Sequence, residues 1–178
     1  MKFSYIASGI LTFILLAVFL IDTNKDTHDP LLIEGQVMGT SYKIILYGDN
    51  ISTSKETIHS IFEEVNQEMS TYIKDSTITK LNTFKLFEWL TVSDDFMEVL
   101  EFALDLCVHT HGVYDVSVGK LVNINGFGPK TEHNLINKDK KEILDQIGCD
   151  SIETKKSSVR RLRNVHLDFS SIAKGYAI

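Results

Sequence analysis

Two cysteines and two prolines are all that 178 residues carry of those types. Cys107 and Cys149 are too few for a disulfide scaffold or a Cys-rich zinc site. So few prolines, beside only ten glycines, exclude collagen-like and low-complexity chains. Positive charge is also short, with 18 Lys plus Arg against 24 Asp plus Glu and a formal charge of −6. That balance argues against a general nucleic-acid binder, whose phosphate contacts need clustered cations. Charged residues are only 24% and apolar ones 43%, which excludes bulk disorder. A mass of 20.1 kDa suits one compact domain and is short for two.

One long apolar run is present, from Phe3 to Ile21, 19 residues without a charge behind Lys2. That length crosses a hydrocarbon core as a helix and is long for the apolar part of a cleaved signal. No small-x-small cleavage site is evident before Asp22, and no cysteine follows for lipid attachment. Lys2 inside and Asp22, Asp26 and Asp29 outside fit an N-in, C-out anchor. A cleaved secretory signal is the other reading. Residues 1–21 are therefore expected to be a signal anchor or signal peptide, 22–30 a tether and 31–178 the exported domain.

Along that domain, Leu31–Val37 and Ser41–Tyr47 read as strands around Met38-Gly39-Thr40. Ile58, Ile61, Phe62, Val65 and Met69 share one face of a helix capped by Ser54. Phe87–Val92 reads as a brief strand. A second helix runs from Asp94 to about His111 behind Ser93, with Gly112 as its stop. A third spans Lys138–Ile147, capped by Asn137 and ended by Gly148. Ser151–Asp168 reads as a hairpin, and another helix starts near Ser170. The sum is a single α+β domain.

Few clusters stand out as sites. Gly126-Phe127-Gly128 lacks the third glycine of a dinucleotide fingerprint and reads as a turn. His109 and His111 point in different directions on a helix and cannot share a metal. Cys107, on an apolar helix face, reads as a buried thiol. Pairing with Cys149 in an oxidising compartment is left open by the sequence. Lys155, Lys156, Arg160, Arg161 and Arg163 read as a solvated strand face rather than a phosphate or lipid-headgroup site.

Three polar stretches carry more. Met69-Ser70-Thr71-Tyr72, with Asp75-Ser76 and Leu81-Asn82, sets hydroxyls and an aromatic just past a helix. Tyr114-Asp115-Val116-Ser117-Val118-Gly119 sets an aromatic and a carboxylate after a helix stop. Leu167-Asp168-Phe169-Ser170-Ser171-Ile172-Ala173-Lys174-Gly175-Tyr176 puts hydroxyls and a lysine at a strand-to-helix junction, where backbone N–H groups receive phosphate.

Together with Gly35-Gln36-Val37-Met38-Gly39-Thr40 and Gly126-Phe127-Gly128, these ordered blocks resemble the ApbE-type FAD:protein FMN transferases. The resemblance covers essentially the whole chain after the apolar run. It implies a T-fold-related α+β domain. It also implies Mg²⁺-dependent transfer of FMN from FAD to a Thr or Ser hydroxyl of a target flavoprotein, with release of AMP. On that resemblance Met38 and Tyr72 contact the flavin. Val113, Tyr114 and Asp115 line the nucleotide, Ser170, Lys174 and Tyr176 lie near the phosphates or flavin, and the Ala173 carbonyl ligates the metal. The family's usual Trp before Gly126 is Asn125 here. The family also continues past the position of Ile178 with an Asp and a Thr that complete the metal site. The expectation is therefore a C-terminally incomplete domain behind a membrane helix, acting on a subunit of a membrane redox complex. It would lie on the extracytoplasmic side of a bacterial inner membrane. The alternative is a non-catalytic, membrane-anchored FAD-binding or partner-binding remnant.

Overall fold

In the computed structural model, residues 30–48, 51–129 and 140–178 are described. The apolar run at 1–21, residues 22–29 of the tether, and the helix start at Asn137 and Lys138 lie outside them. Among the described residues no helix is long and apolar enough to cross a membrane.

Strands β1 (Leu31–Val37) and β2 (Thr40–Leu46), expected at 31–37 and 41–47, form a two-stranded sheet. Met38 and Gly39 connect them, both in the left-handed region at φ 50° and 72°. A two-residue turn with both φ positive matches the twist of the strands it joins, and glycine is the residue that adopts it freely. The described chain falls into two units. Residues 30–34, 43–48 and 51–52 form the smaller, in which Lys43 Nζ pairs with Glu34 at 3.2 Å. The larger comprises 35–42 and the residues from Thr53 onward.

In the larger unit, helix α1 (Lys55–Met69) starts where Ser54 Oγ accepts the Thr57 N–H. Phe62, Val65 and Met69 face inward, and Tyr42 meets Phe62 edge-on at 4.8 Å. Ile61 departs from the expected face and is 48% exposed, because it sits at the edge of the apolar arc. Helix α2 (Thr77–Thr83), not foreseen, follows behind the cap Ser76. Only Leu90–Thr91 of the expected 87–92 strand is extended, as β3. Phe87 stands at φ 66° and donates its N–H to the Arg161 carbonyl, which turns the chain there.

Helix α3 (Asp94–His109) is capped by Ser93 and buries Phe96, Val99, Leu100, Ala103 and Cys107. A short α4 (Gly119–Ile124), also unforeseen, begins at a bridge between Val118 and His166. Gly119 gives its N–H to the His166 carbonyl at 2.8 Å, and a Cβ there would lie 2.7 Å from that oxygen. The third expected helix is α5, with Lys140–Leu144 described. Strands β4 (Ile152–Lys155) and β5 (Ser158–Arg161) form the expected hairpin, and β3 adds to β5 to give an antiparallel sheet of order β3-β5-β4. Helix α6 (Ala173–Tyr176) closes the described chain. The core joins α1, α2, α3, the sheet and the Val165–Phe169 segment, with the rings of Phe96 and Phe169 tilted against each other at 5.2 Å. This is an α+β arrangement.

Two side-chain readings change. Cys107 is not a free thiol but is bonded to Cys149, with the Cα atoms 5.8 Å apart. Arg161 is not part of a solvated face, since the side chain is buried and donates to the carbonyls of Val165 (2.8 Å) and Phe84. Its neighbour Arg160 lies over Trp89 at 4.5 Å and donates Nε to Glu153 at 2.7 Å. Burial lowers the Arg161 pKa from its ordinary value.

Candidate functional site

The larger unit holds a cleft of about 510 Å³, assembled from four stretches of chain. Met38 and Gly39 of the hairpin tip form one side. Val65, Asn66 and Met69 of α1, with Ser70–Ile73 beyond it, form the next. Phe127 adds a rim, and Ser170, Ala173 and Lys174 stand on the remaining side.

The turn after α1 is fixed by its hydroxyls. Ser70 is extended and gives its N–H to Asn66 O at 3.0 Å, which ends the helix. Ser70 Oγ accepts the Tyr72 N–H at 3.2 Å, and Ser76 Oγ donates to the Ser70 carbonyl at 2.6 Å. Tyr72 then reaches across to donate its hydroxyl to Phe127 O at 2.6 Å. Its ring remains 66% exposed, as does most of Phe127, so two aromatics border the opening.

The opposite side is set by the segment entering α6. Asp168 gives its N–H to Val116 O at 2.8 Å, and its carboxylate accepts the Ser170 N–H at 2.7 Å. Lys174, exposed on α6, is the one charged side chain among the described residues lining the cleft. A helix of four residues has little dipole to offer, so the positive charge here is that ammonium. One cation, small hydroxyls, a thioether and aromatic rings suit a planar, anionic ligand. The volume accommodates a ring system of drug size.

Five sequence-predicted residues meet at this cleft: Met38, Tyr72, Ser170, Ala173 and Lys174. Val113, Tyr114 and Asp115 do not line it. Val113 is 90% exposed, and Asp115 turns its carboxylate to the Ser117 N–H at 2.8 Å, beside the disulfide. Tyr114 connects to the cleft at one remove, its hydroxyl 3.2 Å from that of Ser171. Tyr176 is not on the cleft wall either. Its pKa rises to about 12, through desolvation first and then its bond to Asp95 and the charge of Glu98. Phe127 and Asn82 stood within the motif blocks without a site role assigned from the sequence; Phe127 lines the cleft, and Asn82 lies outside it.

The residues lining the cleft do not by themselves make a Mg²⁺ site. The Ala173 carbonyl already accepts the Ala177 N–H at 3.1 Å, and no Asp or Glu is among the described lining residues. Magnesium takes octahedral oxygen ligation and usually a carboxylate. Cys107, Asp115 and Cys149 bring ligand atoms within 4.8 Å of one another, but both sulfurs are held in the disulfide.

A model of the ApbE family matches residues 38–178. The FAD:protein FMN transferase of Haemophilus influenzae is 34% identical over 184 residues, covering 96% of this chain and 53% of the relative. That of Vibrio cholerae is 34% identical over 154 residues, covering 82% and 46%. The solved structure of the flavin transferase ApbE from Vibrio cholerae superposes with a TM-score of 0.72 at 31% identity, over 84% of this chain and 50% of that one. The flavinyl transferase ApbE of Pseudomonas stutzeri, 23% identical, shares the fold with a TM-score of 0.68, over 86% of this chain and 54% of that one. This chain spans about half the length of the curated relatives it matches.

Proposed function

Because this chain belongs to the ApbE family, we propose that it takes FAD as substrate and carries part of the apparatus that transfers FMN to a Thr or Ser hydroxyl of a target flavoprotein. The observation that carries the reading is the cleft itself, which Met38, Met69 and Tyr72 line together with Ser170 and Lys174. Met38 and Tyr72 offer the flavin a thioether and an aromatic face. Lys174 offers the pyrophosphate a cation, and Ser170 offers a hydroxyl. The nucleotide then extends past Ser171 towards Tyr114 and Asp115.

In the transfer, the acceptor hydroxyl oxygen bonds to the FMN-side phosphorus and gives up its proton to solvent. The bond from that phosphorus to the bridging oxygen breaks, and AMP leaves with the bridging oxygen. The residues of this chain bind and orient FAD, which is the larger part of phosphoryl-transfer catalysis. A divalent cation, Mg²⁺ in this proposal, supplies charge neutralisation when bound. Carboxylate ligands for it are not among the described lining residues.

The proposal places the domain on the extracytoplasmic side of a bacterial inner membrane, anchored through residues 1–21, with a redox-complex subunit as acceptor. The Cys107–Cys149 disulfide supports an oxidising compartment. The test is to incubate the full chain with FAD, Mg²⁺ and a membrane redox-complex subunit bearing an acceptor threonine. Saturable FAD binding is the result expected of the part of the apparatus that this chain carries. Flavin fluorescence that survives denaturing electrophoresis, with equimolar AMP, is expected where a carboxylate-bearing metal site is also supplied. Bound FAD with neither product would replace transfer with the FAD-binding module.

A further inference from the structure

Asn82 lies on α2, outside the large cleft, yet its carboxamide makes two long-range hydrogen bonds to the backbone of one residue. Nδ2 donates to the Leu167 carbonyl at 2.9 Å, and Oδ1 accepts the Leu167 N–H at 2.7 Å. Asn82 is 9% exposed and Leu167 fully buried. A planar amide laid against a peptide in this way does what a neighbouring strand would do, offering one donor and one acceptor in register.

Both ends of α2 thereby reach the cleft. At its start, Ser76 holds the Ser70 carbonyl and so the turn that carries Tyr72. At its last turn, Asn82 holds Leu167, directly before the Asp168–Ser170 turn that presents Ser170 and leads to Lys174. Seven residues of helix form a strut of about 10 Å between the two attachments.

We propose that Asn82 is a positioning residue for the FAD site: its carboxamide fixes the spacing between the Tyr72 side and the Ser170–Lys174 side of the cleft. The inference rests on the proposed function for the identity of the ligand, but not for the strut. The requirement is for a donor and an acceptor together. Leucine preserves the volume and supplies neither. An ionised aspartate supplies two acceptors and sets one against the Leu167 carbonyl, whereas a protonated aspartate restores the donor–acceptor pair.

That difference makes the test. Full-length wild type, Asn82→Leu and Asn82→Asp are compared at about pH 8 and pH 5, by FAD affinity and by hydrogen exchange at the amides of Leu167 and Ser170–Lys174. His166 and Asp168 share the small cavity beside Asn82, and the charges of Lys120 and Arg161 act on His166, so wild type is the reference at each pH. Loss of one such buried pair corresponds to about tenfold in affinity and in exchange protection. Expected are that loss in Asn82→Leu at both pH values, and in Asn82→Asp at pH 8 with recovery at pH 5. Wild-type affinity and protection in Asn82→Leu, or no recovery of Asn82→Asp at low pH, would overturn the proposal. If Asn82→Leu does not fold, the two pH values of Asn82→Asp decide. If wild type binds no FAD, the ligand assignment fails, and exchange alone judges the strut.

Discussion

Met38 occupies a backbone region that costs a side chain about 1 kcal/mol and that glycine enters freely. The residue stands at φ 50° on the rim of the cleft, where its thioether is the feature that glycine would remove. Met38→Gly should therefore leave stability within about 1 kcal/mol of wild type while weakening FAD binding. Paired urea melts and FAD titrations check it, and equal affinity in the variant would detach Met38 from the site. His166 makes a second residue-scale prediction. Burial first, then the charges of Lys120 and Arg161, lower its pKa from 6.5 to about 4. Between those values the unfolded chain binds the proton more readily, so stability rises with pH. The contribution is complete above about pH 6.5 and is lost as pH falls towards 4, amounting to about 3 kcal/mol. His166→Gln should flatten the urea midpoint across that window relative to wild type.

At the scale of elements, α2 connects the two sides of the cleft, and its stability begins at Ser76. The Ser76 hydroxyl accepts the Thr79 N–H at 3.2 Å and donates to Ser70 O at 2.6 Å. Ser76→Ala should cost about 2 kcal/mol, a lost cap plus a stranded carbonyl, measured as a shift in denaturation midpoint. This helix was hidden in the sequence by two threonines and an isoleucine in its first turn, residues that suit strands as well. Its signal was nonetheless present, in a serine cap followed by Ile78, Leu81 and Asn82 on one face. The longer α1 and α3 were legible because their serine caps and apolar spacing agree. The 87–92 strand was misread because apolar composition does not report a left-handed residue such as Phe87.

Over the larger unit, the Cys107–Cys149 bond closes a separation of 42 residues and joins α3 to the turn before β4. Chain entropy allows it up to about 4 kcal/mol. Replacing both cysteines with serine should lower the denaturation free energy by 2–4 kcal/mol on that scale. An unchanged midpoint would show that the pair is not bonded in solution. Its existence was undecidable from sequence, since pairing depends on where α3 and the β4 entry meet in space. The cleft was legible in part. Ordered motif blocks pointed to Met38, Tyr72, Ser170, Ala173 and Lys174, and the fold brings these together from positions far apart in the chain. Tyr176 and Val113–Asp115, drawn from the same motif blocks, stand outside the cleft lining, because neighbours in sequence leave a short helix or loop in different directions.

The most direct measurement is titration of FAD into the full chain, followed by flavin fluorescence, for wild type, Tyr72→Ala and Lys174→Ala. Saturation at one site, weakened about tenfold in each variant, is the predicted result. A folded chain with no saturable binding, or variants that bind as wild type does, would contradict the assignment of this cleft.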